Sequence, residues 1–400
     1  MRMGVHHERA TSARWSRWAG ALASVSIALT VASCGGTDLA GVGSGGTGIS
    51  VASVSYGSIS GFGSVIVNGV HFDERAATVS NDDGTPPAPL GLGMVIEVRG
   101  DIDSTGLAGT ADTIKVFSEA RGTVSNLSAG GFVLLGLTVR TTVNTVYQEA
   151  AAIADGDYVE VYGIYDRSTG TLTATRIERK APEASFKVRG SVAALDAATK
   201  RFQLGTLTVD YSAASPAPTG LANGVQVRVR ASSEPVSGVL AATRVDVVAT
   251  PDLGDVSKVE IEGVVDRFAS LADFSVDGVR VDASKATLEG GTLADLAVGR
   301  RVEVEGPVQA GVVVASKVEF EDDDATSEFE LKGLISGFVD VGHFIVRATP
   351  VDASGSVTYE GGNATNLRDG ACVEVKGTLQ ATPAGSKVLA SKIQFESSCN

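Results

Sequence analysis

The sequence predicts an all-β protein built from five small tandem domains. A segment that alternates apolar and polar residues behind a leading glycine occurs five times, at 93–100, 156–163, 224–231, 299–306 and 370–377. Alternation with a period of two is typical of a strand with one buried face. The copies recur at spacings of about 70 residues, which indicates tandem repeats. No segment has convincing helical periodicity, and the best candidate, 292–296, is at most one turn.

The other strands of each repeat are predicted from landmarks that recur in phase. A repeat opens with a glycine followed two residues later by an apolar residue, as at Gly122 and Val124. A strand marked by a phenylalanine follows, as at Phe274, and a weaker third strand precedes the glycine-led strand. The repeat closes on an alanine followed three residues later by a β-branched residue, as at Ala315 and Val318. Five strands per repeat are therefore expected.

The glycine-led strand itself predicts two faces and two special backbone positions. Val302 and Val304 are expected to point inward, and Glu303 to point to water. Gly299 suits the turn that enters the strand, because a positive φ is readily adopted only by glycine. Gly306 suits a bulge at the end of the strand.

The domain boundaries follow from short polar or proline-containing joints between the repeats. Repeats 1 to 5 are predicted to span residues 55–118, 119–181, 185–250, 256–322 and 327–397. Domains of this size can only just bury their own core, so we expect five separate small cores with some support from neighbours. The strand order is similar to that of a small five-stranded OB-type barrel, which leaves few open sheet edges. A small β-sandwich is the alternative.

A resemblance to a known family rests on these repeats, above all on the run Ile-Ser-Gly-Phe-Gly-Ser-Val-Ile-Val-Asn-Gly-Val-His-Phe at 59–72. The chain resembles domain of unknown function 5666, a bacterial family found in tandem in exported lipoproteins. The resemblance covers residues 56–396 and implies OB-like barrel repeats. It implies neither catalytic residues nor a ligand.

The N-terminal region predicts export and a lipid anchor. Residues 1–33 combine a basic start with a short apolar run, as in a signal peptide. Val-Ala-Ser before Cys34 resembles a lipobox, so Cys34 is the predicted lipidation site, and Gly35 favours the outer membrane over the inner one by the same resemblance. An ordinary signal peptide with an incidental cysteine is the alternative. Residues 34–54, rich in glycine and serine, form the predicted tether.

Composition limits the possible partners and cofactors. The net charge of −14 would repel a phosphate backbone, so nucleic acid is not an expected partner, and membrane attachment has to come from the lipid. Cys372 and Cys399 fall in the last repeat and are predicted to form a disulfide in an oxidising compartment, with two free thiols as the alternative. No cofactor is predicted.

Residues for catalysis are scarce. His71 and His343 are predicted to be ordinary strand residues of different repeats. One glutamate occurs at the same position of four glycine-led strands, namely Glu97, Glu160, Glu303 and Glu374. These glutamates are expected to face solvent singly, so no catalytic residue is predicted.

Two small groups of residues are binding candidates. Tyr158, Tyr162 and Tyr165 are expected on the outer face of repeat 2, where they could form a platform for a sugar or a protein side chain. The alternative is that they pack against repeat 1 or repeat 3. Asp101 and Asp103 form a weak calcium candidate, with an ordinary hairpin turn as the alternative.

These observations favour a non-enzymatic lipoprotein of the cell envelope, in the periplasm or at the surface. We expect it to be a binding or spacer module for an envelope or extracellular protein or glycan. A glycan-active enzyme with a carboxylate pair between repeats and a purely structural spacer are the alternatives.

Overall fold

Each repeat closes into a ring of strands, as repeat 1 illustrates. The structure is a computed structural model that describes residues 50–84, 88–148, 152–248, 250–323, 325–382 and 385–399. Repeat 1 contains β1 (Val51–Phe62), β2 (Val65–Val67), β3 (Val70–Asp73), β4 (Thr78–Asn81), β5 (Val95–Ile102) and β6 (Ala108–Phe117). Antiparallel pairs join β3 to β2, β2 to β1, β1 to β5 and β5 to β6. Parallel pairing of β3 and β4 with β6 closes the ring.

The same order of strands closes the other four repeats, so the prediction of five OB-like barrels is confirmed and the sandwich alternative is wrong. Repeat 2 contains β7 (Ala120–Ser128), β8 (Gly131–Leu134), β9 (Leu137–Tyr147), β10 (Tyr158–Asp166) and β11 (Thr171–Arg179). Repeat 3 contains β12 (Phe186–Ser191), β13 (Ala193–Asp196), β14 (Arg201–Leu204), β15 (Leu207–Asp210), β16 (Gln226–Ala231) and β17 (Val239–Val247).

The last two repeats each contain one 3-10 turn, and the strands of repeat 4 are the most divided. Repeat 4 contains β18 (Lys258–Ser270), β19 (Asp273–Val276), β20 (Val279–Asp282), β21 (Thr287–Glu289), β22 (Arg301–Gly306), β23 (Val308–Gln309), β24 (Val312–Val314) and β25 (Lys317–Phe320). Repeat 5 contains β26 (Glu328–Asp340), β27 (His343–Val346), β28 (Thr349–Asp352), β29 (Thr358–Glu360), β30 (Cys372–Thr382) and β31 (Gly385–Phe395). The 3-10 turns are Leu293–Asp295 and Ala364–Asn366. Within the described ranges there is no helix with the length and hydropathy that a bilayer crossing needs.

The two glycines of the repeated motif have separate backbone roles. Gly299 has a φ of +88°, which suits the turn before β22. The last glycine of the motif lies at a shift of register, for example between Arg99 and Gly100 in the pairing of β5 with β6. A Cβ atom on Gly100 would lie 2.0 Å from the carbonyl oxygen of Thr110, so a side chain cannot be accommodated without moving the backbone.

The barrels are not a string of separate domains. Strand β1 pairs in parallel with β18 and with β26, and β7 pairs with β12 in the antiparallel direction. Buried apolar side chains form three clusters: one shared by repeats 1 and 5, one shared by repeats 2 and 3, and one centred on repeat 4. The expectation of five separate cores is therefore wrong, because apolar residues on the outer faces are buried against neighbouring barrels.

The end of the chain is fastened to repeat 5 by a disulfide. Cys372 at the start of β30 is bonded to Cys399, and their Cα atoms are 5.6 Å apart. The predicted pairing of these two cysteines is confirmed.

Replacing Cys372 and Cys399 together by serine should lower the free energy of unfolding by about 3 kcal/mol, because the bridge restricts the unfolded chain. The two residues are 27 positions apart. Guanidinium chloride unfolding of the full-length chain, followed by circular dichroism, measures the change in the transition that includes repeat 5. The paired change of Ser397 and Ser398 to alanine is the control. Equal midpoints for both variants would contradict the prediction.

Candidate functional site

The three tyrosines of repeat 2 do not form an exposed platform. Tyr158, Tyr162 and Tyr165 are each 4% exposed. The Tyr158 ring meets Phe186 of repeat 3 edge-on at 5.6 Å between centroids, and its hydroxyl donates to the carbonyl of Ser185. The tyrosines are buried because their strand faces other barrels instead of water, and the surface-platform interpretation is wrong.

Tyr162 and Tyr165 are likewise buried between barrels and do not face solvent as predicted. Tyr162 joins the apolar cluster of repeats 1 and 5, and the Arg189 guanidinium lies 5.6 Å from the centre of the Tyr165 ring. Burial raises the pKa of both phenols above the usual value. Both rings therefore contribute packing between barrels.

The aspartates of the calcium candidate belong to a hairpin turn. Oδ1 of Asp103 accepts hydrogen bonds from the amides of Thr105 and Gly106, each at 3.0 Å, and from the Thr105 hydroxyl at 2.6 Å. Asp101 is an exposed residue of β5. Among the residues that the structure describes, no group of three or more histidine, cysteine or acidic side chains is arranged to hold a metal. The predicted lipidation site, Cys34, is outside the described ranges.

The outer faces of the barrels are joined by buried ion pairs. Glu160, expected to face solvent, is 6% exposed and accepts at 2.6 Å from Arg121 of the same repeat, which in turn lies 3.3 Å from Asp83 of repeat 1. Arg189 of repeat 3 contacts Glu119 of repeat 2 at 3.0 Å. The prediction that Glu160 faces solvent is wrong. Alternation identifies the side chains on the outer face of a barrel, but it does not show whether water or another barrel covers that face.

A cavity of about 450 Å³ opens where four of the repeats meet, and we term it the junction cavity. Repeat 1 contributes Tyr56, Glu97, Arg99, Lys115 and Phe117; repeat 2, Glu119 and Arg167; repeat 3, Arg189, Arg228, Asp246, Val247 and Val248; the following joint, Thr250, Pro251, Asp252 and Leu253; and repeat 4, Ile261, Asp277 and Val279. Its volume is typical of small-molecule sites. No single repeat could form it.

One part of the junction cavity wall is apolar. The rings of Tyr56 and Phe117 meet at 5.7 Å between centroids with an interplanar angle of 65°. Leu253, Ile261 and Val279 are buried beside them. Burial raises the pKa of Tyr56 far above the usual value, so its hydroxyl stays protonated at neutral pH.

Charged residues also line the junction cavity, and some of their polar atoms are buried without a hydrogen-bond partner among the described residues. Glu119 is fully buried; its Oε1 accepts from Arg189 at 3.0 Å, whereas its Oε2 has no hydrogen-bond partner among the described residues. Oδ1 of Asp277 and the Nε atoms of Arg167, Arg189 and Arg228 likewise have none among those residues. These five atoms are closed to solvent, so they are unsatisfied within the packing around the cavity and do not lie on its accessible surface.

The pKa values of Glu119 and Asp277 are shifted in opposite directions. Burial alone would raise the pKa of Glu119, but the positive charges of Arg189, Arg228 and Lys187 hold it below the usual value. Burial raises the pKa of Asp277 to about 6, against the opposing charges of Arg189 and Arg167. Asp277 reaches the cavity from the tight turn between β19 and β20, where its φ is +48°. At neutral pH both groups are mainly ionised acceptors.

A second cavity, of about 520 Å³, is lined by the outer face of repeat 4, and we term it the acidic cavity. Glu262, Glu303 and Glu319 lie opposite one another on β18, β22 and β25. Like charges in that arrangement repel. Arg301 pairs with Glu262, and Lys317 pairs with Glu319 at 3.0 Å but lies 3.9 Å from Glu303. Burial and the neighbouring carboxylates raise the pKa of Glu303 to about 8.

Comparison with known proteins identifies the family. The sequence profile described as "Domain of unknown function (DUF5666)" matches residues 56–115, 121–178, 181–246, 262–319 and 332–394. The chain belongs to the DUF5666 family. No curated protein matches the chain. A solved structure named "drosophila Unr CSD456" is 14% identical over 51% of this chain and 97% of that one. Its TM-score of 0.14 is too low to indicate a shared fold.

The DUF5666 repeats contained one sequence signal for the junction cavity. The motif position that is glutamate in repeats 1, 2, 4 and 5 is Arg228 in repeat 3. Arg228 lies on the outer face of β16, within 2.7 Å of Asp82 in repeat 1. A reversed charge at one repeat of five indicates that this outer face has a specific neighbour, although the sequence could not identify that neighbour.

The Glu303→Gln variant should remove part of the pH dependence of stability. The pKa of Glu303 rises from an ordinary 4.5 to about 8 on folding, so its stabilising contribution is complete below about pH 4.5 and is lost as the pH rises through about 8. The difference of about 3.5 pKa units corresponds to roughly 5 kcal/mol. Because glutamine stays neutral, the variant should gain stability over the wild type between pH 5 and pH 8.5.

Urea unfolding at several pH values measures this difference, with Glu374→Gln at the equivalent position of repeat 5 as the control. Parallel stability curves for the wild type and Glu303→Gln would show that Glu303 ionises normally in the folded protein.

Proposed function

We propose that this DUF5666 protein is a non-enzymatic binding module and that the junction cavity is its binding site. The observation that carries the proposal is the convergence of four repeats on one ligand-sized cavity, whose lining combines the aromatic pair of Tyr56 and Phe117 with five acidic and five basic side chains. A concave site with apolar and aromatic surface and a few converging polar groups is typical of ligand binding.

The same observation argues against a purely structural spacer. A spacer needs only that its barrels pack, and well-packed apolar contacts between barrels would serve at least as well as buried charges. The junction cavity instead combines an aromatic wall with charged groups contributed by four repeats. Convergence of that kind is typical of recognition sites.

The proposed location is the cell envelope. The lipobox-like sequence before Cys34 supports a lipid-anchored, outer-membrane protein. The predicted tether, 34–54, lies mostly outside the described residues, and its last four residues, 51–54, belong to β1 instead. The proposed partner is an envelope or extracellular glycan or protein segment. The net charge of −14 continues to disfavour nucleic acid.

Binding can be tested with small probes and a variant that blocks the cavity. Full-length protein in a detergent without a sugar headgroup should be stabilised by at least one probe from a panel of amino acids, dipeptides, monosaccharides and disaccharides. A probe at a hundredfold excess over its Kd stabilises by roughly 3 kcal/mol, measurable as a rise in Tm. Thr250→Trp, at the exposed rim, should abolish the rise.

The matched control is Val236→Trp, which adds the same ring at an exposed hairpin away from the cavity. Binding should survive in that variant. No rise in Tm with any probe, or an equal rise in Thr250→Trp, would refute the junction cavity as the binding site.

A glycan-active enzyme is a second candidate, favoured by the acidic cavity. Glu303, with its pKa raised to about 8, lies opposite Glu262, whose carboxylate pairs with Arg301. Carboxyl groups whose environments separate their protonation are typical of acid/base sites. These carboxylates, however, lie side by side on neighbouring strands of one sheet face. Glycosidases place the two groups on either side of the scissile bond.

Assays with chromogenic aryl glycosides distinguish the two candidates. A non-enzymatic module should release no chromophore above the uncatalysed rate, and Glu303→Gln should equal the wild type. Turnover by the wild type that Glu303→Gln reduces at least a hundredfold, as expected for loss of a general acid, would instead establish the enzyme.

A further inference from the structure

We propose that the acidic cavity is a pH-sensitive contact, which holds repeat 4 against repeats 1, 2 and 5 at mildly acidic pH and opens as Glu303 ionises. The proposal does not depend on ligand binding in the junction cavity. It rests on the distribution of charge across this contact, on the row of carboxylates at its centre, and on the burial of those carboxylates.

All the charged side chains that line the acidic cavity come from one side of the contact. Seven are acidic and three are basic, an excess of four acidic groups. Every one belongs to repeat 4 or to the residues that follow it. They are Lys258, Glu260 and Glu262 on β18, Arg301, Glu303 and Glu305 on β22, Lys317 and Glu319 on β25, and Glu321 and Asp322 after β25.

Repeats 1, 2 and 5 cover this charge with uncharged groups. The hydroxyl of Ser55 in repeat 1 donates to Glu260 at 3.0 Å, and the amide of Ser58 donates to Glu262 at 3.1 Å. The lining residues from repeats 2 and 5 are likewise uncharged, as is Thr173. Among the described residues that line the cavity, none therefore supplies a countercharge to repeat 4 from across the contact.

The carboxylates form a row with Glu303 in the middle. Glu262 and Glu319 lie directly opposite it on the neighbouring strands β18 and β25. The side chain of Glu303 is only 12% exposed, and Lys317, its partner at 3.9 Å, lies closer to Glu319, at 3.0 Å. Like charges that face each other across a sheet repel, and a buried charge without close compensation is unfavourable.

Proton uptake and opening are the two ways to relieve this cost. In the closed contact, burial and the charges of Glu262 and Glu260 raise the pKa of Glu303 to about 8, against the opposing charge of Lys317. Solvation by water in the open contact would restore the ordinary pKa of 4.5. Between these two pKa values the closed form binds more protons than the open form, so a rise in pH favours opening.

Hydrogen–deuterium exchange of the full-length protein, corrected for the intrinsic exchange rate at each pH, measures this opening. The reporters are the amides of 51–62 and 256–264, because β1 pairs with β18 there and Ser58 donates to Glu262. From pH 6 to pH 8.5 their open fraction should rise roughly 70-fold, as the shift in the pKa of Glu303 requires. The amides between β16 and β17 of repeat 3 report on unfolding of the whole protein and should not follow.

Two matched variants assign the pH dependence to Glu303. Glu303→Gln should remove the rise, because glutamine cannot ionise, whereas Glu374→Gln at the equivalent position of repeat 5 should keep it. If circular dichroism shows that Glu303→Gln is misfolded, Glu321→Gln replaces it. The charge of Glu321 also raises the pKa of Glu303, so its removal should make the rise smaller than in the wild type.

Three results would overturn the proposal. A rise of the wild-type size in Glu303→Gln, or in Glu321→Gln where that variant replaces it, would assign the pH dependence to other groups. An equal rise in the repeat 3 amides would show that the whole protein unfolds. Constant protection of the β1 and β18 amides from pH 6 to pH 8.5 would show that the contact does not respond to pH.

Discussion

Buried ion pairs between the outer faces of the barrels hold this assembly in one arrangement. Arg189 of repeat 3 contacts Glu119 of repeat 2 at 3.0 Å, and Arg228 of repeat 3 contacts Asp82 of repeat 1 at 2.7 Å. Removing one member of such a pair leaves a buried charge without compensation, which destabilises a protein by roughly 3–5 kcal/mol. The outer faces of the barrels, both charged and apolar, are therefore buried only beside particular neighbours.

This arrangement explains why both cavities lie between barrels and not inside them. A five-stranded ring is too narrow to leave space within it, and its interior is filled by side chains such as Phe274 and Val304, which are fully buried. Charged outer faces cannot match one another everywhere. Where opposite charges balance and some groups stay free, the junction cavity results; where like charges align, as at Glu303, the acidic cavity results.

The repeats are alike in fold but not in surface, which is how five copies of one domain can build a single site. The residue three before the opening glycine is Val54 in repeat 1, Glu119 in repeat 2, Lys187 in repeat 3 and Glu260 in repeat 4. Barrel geometry does not depend on this outward side chain. It is free to specialise, so contacts between barrels can become asymmetric and hydrogen-bonding groups from several repeats can converge.

The sequence alone determined the barrels. The alternation around Val302 and Val304 and the turn glycine Gly299 are local requirements of backbone and burial, and each is met where the pattern predicted it. The bulge predicted for the last glycine of the motif is present at Gly100 in repeat 1. The pairing of Cys372 with Cys399 was equally accessible, because only two cysteines fall in the folded repeats. Only the tertiary structure decided what the outer faces meet. The sequence predicted that Tyr158 and Glu160 face solvent, whereas both are buried. An outward position has the same sequence pattern whether water or another barrel lies beyond it. The junction cavity depends on contacts between residues as far apart as Tyr56 and Asp277, and no local pattern encodes their distance.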